Sequence, residues 1–324
     1  MYTQFNRDTR LELAVLLKSG KNQSQCSRIL GMHRISVCEE INRNKDPDGI
    51  YRGSFAHRRA RLRRRQAKQS YRKIENNLDL QKYIIRKLLK YWSPEQIAGR
   101  LKKVSGSVAI SHETIYQFIY NEKPHLTKYL RHQKCKYRNR RGTHARMKLC
   151  KAMKVRRIGE RPVVVDERSR IGDWENDTVI GKEKKQRILT FTERKSGFGM
   201  ANKLDVVTTK IVHDIEVARF KKIPRRKRFT VTRDNGFEFG DYDRMLERRT
   251  KMKVYRATEY HSWERGTNEN WNGLLRQFFP KGMYFANINQ YQIDRAVRLL
   301  NDRPRKRLSY ATPREVFKGC SASG

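Results

Sequence analysis

Beyond Arg161-Pro162 the hydrophobic pattern changes period, and that change bounds the fold. Residues 174–181, 187–194 and 198–204 read as short β-type runs, separated by turns at 182–185 and Lys195-Ser196-Gly197. A helix is expected over 208–220, a strand over 229–232 that runs out into Asp234-Asn235-Gly236, a helix over 242–248 and a strand over 252–257. A last helix, capped by Thr267 and stopped by Pro280 and Gly282, completes the order βββαβαβα. That order implies an α/β domain on a mixed five-stranded sheet.

Everything before residue 161 reads as helix or basic tract, so the chain is multidomain, with all-α modules first. Asn6 is expected to cap a helix carrying Leu11, Ala14 and Leu17; a second helix over 23–30 turns Cys26, Ile29 and Leu30 inward. Gly31 supplies a tight turn, and a third helix from Arg34 packs back through Val37 and Ile41, which makes a helix-turn-helix whose last helix enters a major groove. Adjacent Glu39 and Glu40 on that helix are awkward beside phosphates. Ser93-Pro94-Glu95-Gln96 is a capping box, and Ser111 caps a helix buried through Ile115, Phe118 and Ile119, giving a second helix-turn-helix-like pair. The expected boundaries are 1–56 for the first module, 57–76 for a basic linker, 77–125 for the second module, 126–160 for another basic linker, and 161–324 for the α/β domain with C-terminal helices.

Lys and Arg total 75 against 33 Asp and Glu, a net charge of +42, which calls for a polyanionic partner. Nucleic acid is favoured over an anionic membrane because no basic amphipathic helix has a broad Leu/Phe face. The expected DNA contacts are Arg34, Ser36 and Arg43 on the third helix, Arg58, Arg59, Arg61, Arg63, Arg64 and Arg65 in the basic tract, and His112 and Thr114 in the second module. The segment around Tyr129 and Tyr137 mixes bases with aromatics that could stack on opened DNA. Five cysteines without a CxxC pair argue against a disulfide framework or zinc module, and no signal or membrane span is read, so a cytoplasmic, soluble protein is expected.

Asp177 lies in the first strand and Asp234 at the end of the fourth, its neighbour in this topology, so the two side chains can converge. Glu269 follows on the last helix, where Arg265, Glu269, Asn272 and Arg276 share one stripe and Trp271, Leu274, Leu275 and Phe278 the other. By itself Glu269 is also explained as an acid favoured by the helix dipole. Three carboxylates meeting would require a cation, and hard Mg²⁺ suits them; two such ions about 3.5–4 Å apart activate an attacking oxygen and stabilise a leaving one on phosphate. Asp173, Glu175, Glu238 and Glu264 are nearby acids, read in preference as partners of the many arginines.

Several long blocks resemble the DDE transposases of the insertion-sequence thirty family. They are Trp174-Glu175-Asn176-Asp177, Thr232-Arg233-Asp234-Asn235-Gly236-Phe237-Glu238-Phe239, the stretch 263–282, Leu300-Asn301-Asp302-Arg303-Pro304-Arg305-Lys306-Arg307-Leu308, and Thr312-Pro313-Arg314-Glu315-Val316-Phe317. The resemblance implies a ribonuclease-H-like catalytic core related to retroviral integrases, with Asp177, Asp234 and Glu269 as the catalytic, metal-binding triad. It implies two Mg²⁺ ions, replaceable by Mn²⁺, bridged by Asp177, and a nucleoid-associated bacterial enzyme that acts on double-stranded DNA as a dimer or larger assembly. Its reaction would bind the element's terminal repeats, hydrolyse a strand and transfer the freed 3′-hydroxyl. Asn268, Asn270, Asn272 and Arg276 are expected to orient Glu269 or hold a phosphate. Two positions depart from the family pattern: Glu39, where arginine is commoner, and Glu259-Tyr260-His261-Ser262, where relatives carry a Pro-Tyr-Ser-Pro type of loop. A DNA-binding regulator with an inactive domain and a non-transposing nuclease are the alternatives.

Overall fold

A computed structural model describes residues 4–69, 73–106, 110–131, 156–258 and 261–319. They form two compact units, Met1–Gln81 and Lys82–Gly324.

In the first unit, α1 (Arg7–Lys18), α2 (Gln23–Ile29) and α3 (Arg34–Asn44) are followed by α4 (Gly53–Gln69), which takes up most of the basic tract. Asn6 and Asn22 each close a reciprocal capping box, with Thr9 and Gln25, so two helix starts are fixed locally. Leu13, Cys26, Met32, Val37, Tyr51 and Ala56 make the core. Ile29, expected inward, is exposed. Glu40 turns inward, accepting from Arg10 Nε at 2.6 Å, Asn44 Nδ2 at 2.7 Å and the Tyr51 hydroxyl at 3.2 Å. That burial takes one of the two awkward acids off the exposed side of α3 and leaves Glu39 there alone. α4 crosses α1 at Gly53, where a Cβ would lie 2.4 Å from the Arg10 carbonyl, so no larger residue allows this approach.

The second unit begins within α5 (Leu78–Leu89) and continues through α6 (Pro94–Ser105), α7 (His112–Asn121) and the short α8 (Val163–Asp166). The capping box of Ser93 and Gln96 and the Ser111 cap both form. The strands are β1 (Asp173–Ile180), β2 (Arg187–Glu193), β3 (Gly199–Leu204), β4 (Thr230–Arg233) and β5 (Lys253–Arg256), with α9 (Thr209–Lys221) and α10 (Asp243–Thr250) between them. After β5 come α11 (Gly266–Leu275), α12 (Gln290–Asn301) and α13 (Pro313–Lys318). The sheet order is β3-β2-β1-β4-β5; β1, β2 and β3 are antiparallel, and β4 and β5 run parallel to β1. This mixed five-stranded sheet is the expected one.

Alternation along the strands serves two cores. One face sends Trp174, Phe191, Leu204, Val231 and Val254 against Val217 and Phe220 of α9; the other sends Val179, Ile188 and Ala201 against Trp271 and Leu275 of α11 and Ile293 and Leu300 of α12. Gly199 makes the second contact possible, because a Cβ there would lie 2.2 Å from the Trp271 indole. The helical segment before the sheet is tied to the C-terminal helices by Arg100, whose guanidinium meets both Glu315 oxygens at 2.9 and 2.6 Å. Among the described residues no helix is long and apolar enough to cross a membrane.

Candidate active site

β1 and β4 are paired in parallel with Glu175 opposite Thr232, so two further residues along each strand bring Asp177 beside Asp234 where β4 ends. The loop that follows holds Asp234 in place: Gly236 N–H donates to its Oδ1 at 3.0 Å, and Arg256 donates to its carbonyl at 2.8 Å. Asp177 receives the Thr178 N–H at 2.8 Å on Oδ1 and the Asn272 amide at 2.9 Å on Oδ2. Between the two carboxylates lies Arg265, with Nη1 3.4 Å from Asp177 Oδ1 and Nη2 3.3 Å from Asp234 Oδ2.

The electrostatics follow from that arrangement. Burial pushes the Asp177 carboxyl up to about 6, with Arg265 opposing the rise and Asp234 adding to it. Burial also works against charge on Arg265, but Asp234 and Asp177 outweigh it and hold the guanidinium above its ordinary range. The pair therefore demands positive charge, and Arg265 supplies it.

Glu269 sits on the same stripe of α11, between Arg265 and Asn272 in sequence, and is exposed. Among the described residues no group of three or more His, Cys, Asp or Glu is placed to hold a metal ion. The groups that touch Asp177 are nitrogens, but the carboxylate oxygens of Asp177 and Asp234 and the Asn272 amide oxygen, buried without a partner, are of the kind a hard cation takes.

No protein-family model matches the chain. The transposase for insertion sequence element IS4351 of Bacteroides fragilis is 37% identical over 322 residues, which cover 98% of this chain and 96% of that one. The transposase InsI for insertion sequence element IS30A of Escherichia coli strain K12 is 32% identical over 293 residues, 87% of this chain and 75% of that one. The chain belongs to the IS30 family of transposases. Among solved structures, the catalytic core domain of BIV integrase covers 45% of this transposase and 93% of its own chain, at 18% identity and a TM-score of 0.37.

The asparagines of this transposase divide by role. Asn268 is fully buried: its Oδ1 accepts from the Thr190 and Thr192 hydroxyls at 3.2 Å each, its Nδ2 donates to the Glu175 carbonyl at 3.2 Å, and its N–H donates to Glu175 Oε2 at 2.8 Å. It clamps α11 to β1 and β2. Asn270 is exposed and lines a cavity on another face of α11, and Asn272 serves Asp177. Arg276 donates to the Ile180 carbonyl at 3.0 Å and the Phe279 carbonyl at 3.4 Å. Thr267, expected as the cap of α11, lies buried inside its first turn; Arg265 is the N-cap and makes no side-chain cap bond.

The other acids have partners. Asp173 pairs with Arg170 at 2.9 Å, Glu175 with Arg194, and Glu238 with Arg187 at 2.8 Å. Glu264 instead accepts the Thr258 N–H at 2.7 Å and lies 3.4 Å from His261 Nδ1. Arg265 and the buried network of Asn176, Glu216 and Arg233 went unassigned in the sequence, although the position of Arg265 one turn ahead of Glu269 was a usable signal.

Of the residues expected at DNA, Arg34, Arg43, Arg58, Arg59, Arg61, Arg64 and His112 are exposed, and Ser36 is half-buried. Arg59 donates to the Lys45 carbonyl at 2.8 Å. Arg63 is half-buried and spends its guanidinium on Asn44 Oδ1 at 2.6 Å and the Arg43 carbonyl at 3.2 Å, which ties α4 to α3. The Thr114 hydroxyl is 2.9 Å from that of Ser111, within the cap of α7. The Arg65 side chain, Tyr137 with residues 132–155, and Glu259-Tyr260 lie outside the described residues.

Proposed function

We propose that the chain binds the terminal repeats of its own insertion sequence and, with Asp177, Asp234 and Glu269 as its catalytic triad, cuts them and transfers the freed strands. The observation that carries this reading is the convergence of Asp177 and Asp234 on one cationic group, Arg265, at the ends of two parallel strands. Asp177 and Asp234 would hold the metal, with Glu269 as the third carboxylate from the α11 stripe and the orphaned Asn272 oxygen alongside. Two Mg²⁺ ions, or Mn²⁺ in their place, would supply an activated attacking oxygen and neutralise charge on the leaving oxygen of a phosphodiester.

The chain's own residues do the rest. Asn272 and the Thr178 N–H fix the orientation of the Asp177 carboxylate. Asn268 fixes the height of α11 on the sheet. The exposed arginines of α3 and α4 supply the phosphate contacts of an end-binding module over residues 1–56 and the tract that follows. Residues 77–125 add a second DNA-binding module, and 161–324 carry the chemistry. Acting on two element ends calls for at least a dimer on DNA, and the working place is the bacterial nucleoid.

The test incubates the protein with Mg²⁺ and DNA carrying the terminal repeats, beside Asp234→Asn. Cleavage and joining by the wild type alone are expected. Binding without cleavage by the wild type makes the protein a regulator, and equal nicking by both proteins removes Asp234 from the site.

A further inference from the structure

At 100° per residue, Gly266, Thr267, Asn270, Trp271 and Leu274 fall on the side of α11 away from the Arg265, Glu269 and Asn272 stripe. There they wall a cavity of about 250 Å³, lined on the other side by Arg168, Arg305 and Arg307. One residue of its lining carries a donor that is buried without a partner: the Thr267 hydroxyl, on a residue 8% exposed. A buried donor in a native fold is normally satisfied, so it points to a missing acceptor.

The charges point the same way. Arg305 donates to the Leu300 carbonyl at 3.1 Å and Arg307 to the Lys195 carbonyl at 2.7 Å. Neither neutralises a guanidinium. The nearby Glu193 carboxylate accepts from the N–H groups of Gly172 at 3.1 Å, Lys195 at 3.2 Å and Ser196 at 2.7 Å and offsets part of the Arg307 charge. Burial, then Arg307 and Arg131, pull Arg305 down to about 10; burial, then Arg168, lower Arg307 as well. Arginine stays protonated at neutral pH, so the three guanidiniums keep this wall of the cavity positively charged. The first turn of α11, whose Asn268 N–H is already taken by Glu175 Oε2 at 2.8 Å, forms the facing wall.

We propose that this cavity holds a phosphate of the DNA backbone, gripped by Arg168, Arg305 and Arg307 with the Thr267 hydroxyl as a further donor. The DNA would then be anchored on one side of α11 while the acidic pair works on the other. The assignment rests on the reading of the chain as a DNA transposase; the phosphate chemistry itself does not.

The test uses the full chain. Inorganic phosphate is titrated in a chloride buffer while thermal unfolding is followed, and binding to a duplex of arbitrary sequence is measured by anisotropy across a series of salt concentrations. Phosphate is expected to raise the wild-type Tm and compete with the duplex. Arg307→Gln is expected to lose the phosphate-induced rise, weaken duplex binding about tenfold and flatten the plot of log affinity against log salt by about one unit. Thr267→Val, which keeps every charge, shrinks the phosphate effect and serves as the probe if Arg307→Gln does not fold. Phosphate effects unchanged in both variants would overturn the site. A phosphate effect lost in Arg307→Gln with unchanged duplex affinity and slope makes it a free-anion site and overturns the DNA assignment. Neither measurement requires strand cleavage, so a failure of the transposase chemistry would be told apart from a failure here.

Discussion

Asn272 reaches Asp177 from α11 with its amide nitrogen 2.9 Å from Oδ2, and its own amide oxygen is buried with nothing to bond. If Asp177 is catalytic as proposed, a group with one end on its carboxylate and the other unsatisfied is placed to serve it. Asn272→Ala is therefore expected to lower Mg²⁺-supported cleavage by about 10- to 100-fold, the range seen when an outer partner of a ligand is lost. Its thermal midpoint should stay close to that of the wild type. Unchanged cleavage would remove Asn272 from the site.

Arg265 carries the charge balance of Asp177 and Asp234, from a side chain that is 13% exposed. Removing one member of a fully buried ion pair costs about 3–5 kcal/mol, and the partial exposure of both aspartates reduces that. Arg265→Gln should lose about 2 kcal/mol of stability in EDTA, scaled down from that range. Mg²⁺ should then stabilise the variant more than the wild type, and calorimetry should show tighter metal binding, because no guanidinium has to give way. Equal metal affinity in the two proteins would mean that Arg265 does not compete for the position.

What the sequence made legible was what neighbours in the chain decide. Period-2 alternation marked all five strands to within a residue or two at their ends, and the caps at Asn6, Ser93 and Ser111 form because each closes within three residues. The convergence of Asp177 and Asp234 was also readable, since it needs only strand order. Contacts between distant residues were not. Glu40 is turned inward by Arg10, 30 positions away, and Asn268 is claimed by Glu175, 93 positions away. Nothing local distinguishes Arg63, which ties α4 to α3, from its exposed neighbours Arg61 and Arg64. Glu269 follows the same rule: its stripe is set by the helix period, whereas its distance from the aspartates is set by how α11 packs on the sheet.

Arg233 and Glu216 form a pair with no exposed surface, 3.3 Å apart, supported by Asn176 donating to Glu216 at 2.7 Å and by Asp243 3.4 Å from Arg233. Burial raises the Glu216 carboxyl and lowers Arg233, so each tolerates its charge only through the other. Arg233→Met alone should cost about 3–5 kcal/mol by leaving Glu216 buried and uncompensated. The double variant Arg233→Met with Glu216→Leu should recover part of that loss in urea unfolding. A double variant as unstable as the sum of the singles would show that the two charges do not depend on each other.

The Arg100–Glu315 pair gives the second unit a pH-dependent tie between its helical segment and its C-terminal helices. Burial favours the neutral Glu315 carboxyl, but the Arg100 hydrogen bonds, the Thr312 N–H and the Arg100 charge outweigh it, so the group sits below its ordinary range. A depressed folded-state value means that, between the folded and unfolded values, the unfolded chain binds the extra proton. The tie thus contributes its full stability above the ordinary glutamate range and loses it as the pH falls through the depressed value. Thermal midpoints measured at a series of acidic pH values should show this loss, and Arg100→Gln should remove that part of the slope while lowering the midpoint near neutrality. A wild-type midpoint that holds constant through that acidic window, or an Arg100→Gln slope equal to the wild type's, would show that Glu315 is not held by Arg100 in solution.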